Sequence, residues 1–166
     1  MKRLIMTILA SAALCFAAEA QSDLKKVYDE SIDPMTQIDK AIAKADKDGK
    51  FVICQVGGNW CRWCLMFADF ISKDSEITEL IDKNFEYIHV NFNPRERNDE
   101  AKMKKAETML ARLGNPGRVG YPVFVVLDGN GKVIHIQDSS LLEEGNGYNK
   151  SKVMRFFSNW TPAAVK

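Results

Sequence analysis

Cys61 and Cys64 stand two residues apart in the run Gly57-Gly-Asn-Trp-Cys-Arg-Trp-Cys64, directly after the apolar stretch Phe51–Val56. An apolar run of this length next to glycines is the pattern of a buried strand. The next residues read as a turn and then a helix, opening near Cys61 and running through Phe70 or Ile71. Two thiols one helical turn apart can close into a disulfide and reopen with little backbone movement. The first turn of a helix leaves N–H groups unpaired and carries the positive end of the helix dipole. Both favour a thiolate at Cys61, and the Arg62 cation acts in the same direction. Cys64, one turn further in, keeps its proton longer. The asymmetry gives Cys61 the attack on a substrate disulfide and Cys64 the resolution of the mixed disulfide that forms.

Other chemistry is compatible with two cysteines. A zinc site needs about four ligands; the chain has two histidines and no second C-x-x-C, so no metal is expected. Metal delivery by Cys61, Cys64 and a histidine lacks support, because neither His89 nor His135 belongs to a Cys/His ligand motif. An inert structural disulfide stays open on spacing alone. Cys54, inside the strand, reads as a small apolar side chain.

The elements that must hold this pair can be read from pattern. The N-terminus has Met1-Lys2-Arg3, an apolar stretch from Leu4 to Ala18, and Ala18-Glu19-Ala20. This is the layout of a secretory signal peptide over residues 1–20, too short for a membrane span of about 20 apolar residues. Export to the periplasm or the exterior is therefore expected, where disulfides persist. Residues 21–33 are polar without periodicity and read as a flexible lead-in to a domain over 34–162. Asp33-Pro34 opens a helix as N-cap and first residue, with Met35, Ile38, Ile42 and Ala45 on one face and Gly49 at its end. A second helix with Ile77, Leu80 and Ile81 comes after the cysteine helix, then a buried-type strand over 85–92. Met103, Ala106, Leu110 and Leu113 mark a helix over 98–113. Val123–Leu127 and 132–137 flank Asp128-Gly-Asn-Gly131, a hairpin turn. Val153, Phe156, Phe157 and Trp160 are the inner face of a last helix. A strand–helix–strand portion and then a hairpin predict an α/β fold, with a mixed central sheet and helices on both faces.

The run Phe51–Cys64 resembles the active-site strand and turn of the thioredoxin superfamily. Gly117-Arg-Val-Gly-Tyr-Pro122-Val-Phe-Val-Val-Leu127 is similar to that family's loop with a cis-proline before its next strand, and Asp128-Gly-Asn-Gly-Lys-Val133 to the hairpin after it. The resemblance spans residues 34–162 in order, and points to the exported thioredoxin-like group that includes small disulfide-isomerase-like proteins. It implies a thioredoxin-like fold, a cis Pro122 against the disulfide, a Tyr121 backbone that pairs with an extended substrate segment, and Trp60 flanking the Cys61 sulfur. Where typical thioredoxins carry a buried carboxylate this chain has Gln55, which cannot act as a base. In place of the family's lysine on the neighbouring strand it has His89, which leaves His89 or a water to take the Cys64 proton.

The reading is then an exported thiol–disulfide oxidoreductase, a reductase or isomerase of protein disulfides whose only redox group is the Cys61–Cys64 pair, with no separate cofactor. Its partners are protein thiols and disulfides, and a membrane donor or thiol pool that resets it. The alternative is a non-catalytic thioredoxin-fold module that clamps peptides. With 23 Lys and Arg against 22 Asp and Glu, there is no basic excess for nucleic acid. No segment reads as a dimerisation element, which points to a monomer.

Overall fold

The computed structural model describes residues 24–96 and 98–165. The stretch 1–20, expected to be a signal peptide, lies outside them together with Cys15. Asp33 caps helix α1 (Pro34–Asp48) by accepting from the Thr36 amide, and Gly49 ends it in the left-handed conformation, φ 66°. Then come β1 (Phe51–Gly57), α2 (Arg62–Lys73), α3 (Ser75–Asn84), β2 (Phe85–Asn91) and α4 (Glu100–Arg112). A 3-10 turn over Pro116–Val119 leads to β3 (Val123–Leu127) and β4 (Val133–Asp138). The short pair β5 (Glu143–Glu144) and β6 (Gly147–Tyr148) precedes α5 (Lys150–Asn159).

Four strands form one sheet in the order β2-β1-β3-β4. β1 runs parallel to β2 and antiparallel to β3, and β3 pairs antiparallel with β4. This is the mixed α/β, thioredoxin-like fold. Side chains alternate across β1, so each face has its own core. Val52, Cys54 and Val56 meet Ile38, Ala41 and Ala45 of α1 and Met109 of α4 on one face. Ile53 meets Phe67 of α2, Ile77 and Ile81 of α3 and Phe157 of α5 on the other.

Two expectations change. In α4 the fully buried residue is Met109, with Ala106 and Leu110 half-buried beside it. The helix is rolled slightly from the Met103–Ala106–Leu110 stripe, because Met109 and Leu113, one turn apart, both reach the α1 side of the sheet. Residues 24–33 are not a loose lead-in. Tyr28 is 4% exposed, and Leu24 and Val27 pack beside it against Leu65 and the cysteine pair. Their polar composition hid one aromatic anchor.

Candidate active site

β1 brings its C-terminal end to Gly57, and the chain turns through Gly58-Asn59-Trp60 into α2. A β-carbon on Gly57 would collide with Cys64 Sγ and lie 2.9 Å from Tyr28 Oη, so the absence of a side chain is what lets β1 run under the pair. Cys61 is the N-cap of α2, and its Sγ accepts from the Cys64 amide at 3.2 Å. The first sulfur therefore sits where the helix presents its unpaired N–H groups. Cys61 and Cys64 are joined by a disulfide, with Cα atoms 5.2 Å apart. Cys61 retains 6% exposure and Cys64 none, so of the two only Cys61 reaches solvent.

Trp60 is pinned by its indole N–H, which donates to the Phe92 carbonyl at 2.7 Å. Its ring stands edge-on to Tyr121, with centroids 5.7 Å apart, and Tyr121 also contacts Phe92. The Tyr121–Pro122 peptide is cis. Val123 pairs with Val56, so Tyr121 and Pro122 lie beside the Gly57 end of β1, and Tyr121 packs on the cysteine cluster. The structure thus brings Trp60, Cys61, Cys64, Tyr121 and Pro122 to one end of the sheet. Cys54 is apart from them, fully buried in the opposite core, where burial pushes its thiol up to about 12. Among the described residues no cluster of His, Cys, Asp or Glu could hold a metal.

Beneath the disulfide, Gln55 is fully buried and fully bonded. Its Nε2 donates to the Cys64 carbonyl at 2.9 Å and to Tyr28 Oη at 2.7 Å, and its Oε1 accepts from the Tyr87 hydroxyl. Burial raises both phenols well above the usual tyrosine range. His89 pairs with Gln55 across the strands, yet its ring lies edge-on to Tyr28 and Tyr87, with centroids 5.3 and 5.4 Å away. Its Nε2 is buried without a partner, and burial lowers its pKa to about 4. His89 is therefore a neutral ring behind the site. The hydroxyl beside Cys64 belongs to Tyr28, which pattern reading passed over. The one available signal was a lone large aromatic amid polar residues.

A mixed sheet with two helical layers, a disulfide at a helix N-terminus and a cis-proline beside it define a thioredoxin-like protein. The chain belongs to the thioredoxin-like DsbH family (Thioredox_DsbH, described as a protein of unknown function, DUF255), whose model matches residues 15–156. Among solved structures it is similar to a disulphide isomerase from Xylella fastidiosa Temecula1, at 28% identity and a TM-score of 0.65, over 82% of this chain and 97% of that one. A protein titled DsbH Oxidoreductase shares the fold at 20% identity and a TM-score of 0.52, over 95% of this chain and 92% of that one. No curated protein sequence matches significantly.

Proposed function

We propose that this protein is an exported thiol–disulfide exchange enzyme that reduces or isomerises disulfides in other proteins. The observation that carries the reading is the position of Cys61. It caps α2, its sulfur faces the helix amides, and it is the cysteine of the pair that reaches solvent. In the reduced form its thiolate attacks a substrate disulfide. The substrate S–S bond breaks, a Cys61–substrate disulfide forms, and the released substrate sulfur leaves as a thiolate. Cys64 then attacks Cys61 Sγ, the Cys61–Cys64 bond closes and the substrate is released reduced. A second substrate thiol attacking instead gives isomerisation. The name of the Xylella relative supports the isomerase side of this reading.

In the same reading Trp60, Tyr121 and Pro122 form the substrate edge. The Tyr121 backbone pairs with an extended segment by strand addition, and the Trp60 ring walls the groove. The basic and apolar segment ending in Ala18-Glu19-Ala20 directs the chain out of the cytoplasm. A membrane donor or thiol pool resets the pair, and the protein works as a monomer.

A Cys64→Ser variant tests the exchange chemistry. It should accumulate mixed disulfides between Cys61 and protein partners, visible as mass-shifted bands that collapse with dithiothreitol. If no such adduct forms, and Cys61 resists alkylation after mild reduction, the protein is a peptide-binding module with a structural disulfide. Equilibration of the pair against glutathione then places its role. A value near −270 mV marks a reductase, and about −180 mV an isomerase.

A further inference from the structure

Resolution by Cys64 requires a thiolate at a fully buried sulfur, and burial opposes ionisation. β1 offers Gln55 in place of a carboxylate, and the His89 ring, kept neutral by burial, stands edge-on to Tyr28 and Tyr87. Tyr28 brings a hydroxyl to that sulfur. Its Oη and Cys64 Sγ crowd the same point above Gly57. The Cys64 carbonyl can only accept, so the Gln55 amide nitrogen must face it, and the same nitrogen donates to Tyr28 Oη. Tyr28 therefore accepts from Gln55, and its own O–H proton is free to point at the sulfur.

Its placement is built. Asn59, in the turn before the cysteines, accepts from the Tyr28 amide at 3.2 Å and donates to the Tyr28 carbonyl at 2.8 Å. Both main-chain groups of Tyr28 are thus clamped to the active-site turn. Burial keeps the phenol protonated, so it serves as a donor and not as a base.

We propose that the Tyr28 hydroxyl is a positioning residue that donates a hydrogen bond to the Cys64 thiolate once the disulfide is open, supplying from the N-terminal segment the support that Gln55 cannot. The inference rests on the exchange reading above. Cys64 loses its proton to solvent, and Tyr28 O–H keeps its own. As Cys64 attacks, the electron pair passes into the Cys61–Cys64 bond, the Cys61–substrate bond breaks, and the substrate sulfur carries the charge away. The disulfide sulfur is a poor acceptor, so the hydrogen bond weakens as the bond closes. Of the other titratable groups nearby, Cys61 and Tyr121 share the cluster of Cys64, Arg62 follows Cys61 on α2, Tyr87 of β2 bonds to Gln55, His89 of β2 stands edge-on to Tyr28, and the Tyr148 hydroxyl donates to the Trp63 carbonyl at 3.1 Å.

The test titrates Cys64 directly, by thiolate absorbance and alkylation rate, in Cys61→Ser with and without Tyr28→Phe. Loss of the hydroxyl should raise the midpoint about one unit, a tenfold fall in thiolate below it. In the otherwise native chain, mixed-disulfide resolution at pH 7 should slow about threefold, since the weaker acid is a better nucleophile, and the deficit should vanish above the midpoint. Should Tyr28→Phe fail to fold, Asn59→Ala releases the clamp and should raise the same midpoint. An unmoved midpoint in the folded variant overturns the role of Tyr28 and leaves the exchange reading intact. That reading falls separately, if Cys64→Ser traps nothing.

Discussion

At the scale of single residues, three cysteines of one chain stand in three different surroundings. Cys61 sits at the helix amides, Cys64 lies one turn inside, and Cys54 is shut in the opposite core. With its thiol raised to about 12 by burial, Cys54 should not react in the folded protein. Mild reduction and then iodoacetamide should label Cys61 first, and mass spectrometry should find Cys54 modified only after unfolding. His89 gives a second prediction. Its pKa falls from 6.5 to about 4 through burial, so the unfolded chain binds the extra proton more readily than the folded one. Its contribution is complete above pH 6.5 and is lost as the pH falls toward 4. Chemical denaturation at pH 7 and pH 4.5 should show this loss, of about 2 kcal/mol, reduced in His89→Gln.

At the scale of elements, the site depends on β1 passing closely beneath α2. Gly57→Ala would place a methyl group against Cys64 Sγ and Tyr28 Oη. Either the strand or the helix must give way. Such overpacking costs about 1–3 kcal/mol, and the variant should lose that much in a denaturant melt. Its Cys61–Cys64 pair should also shift in a glutathione titration. The N-terminal segment belongs to this element-scale picture, because Asn59 ties it to the turn that delivers the cysteines.

At the scale of the molecule, two cores pack on opposite faces of the sheet that carries the site at its end. Phe67 of α2 joins several parts of the larger one. Its ring meets Phe124 of β3 at 4.4 Å, Tyr148 of β6 at 4.8 Å and Phe157 of α5 at 6.5 Å. Phe67→Ala should cost about 3–5 kcal/mol, read as a lowered midpoint in thermal or urea unfolding. Since Phe67 lies three residues after Cys64 on the same helix, loss of fixed packing there should also slow resolution. By contrast, Lys150 bridges Asp74 and Glu76 at 2.8 and 2.9 Å on the surface between α5 and α3. Exposed pairs of that kind contribute little, and Lys150→Ala should change stability by less than about 1 kcal/mol.

Local chemistry made much of this visible in the chain alone. The Asp33-Pro34 start and Gly49 stop of α1, the span of β3 and the turn at Asp128–Gly131 all depend on neighbours in sequence, and the structure places them accordingly. The spacing of Cys61 and Cys64 at a helix start is likewise local. Tertiary structure decided the relations between segments far apart. The roll of α4 depends on the sheet it covers. The Tyr28–Gln55–Tyr87 chain joins three elements with no shared periodicity. A hydroxyl finds its place beside a sulfur only when the chain folds back, because position in space, unlike helical phase, is not encoded in the spacing of adjacent residues.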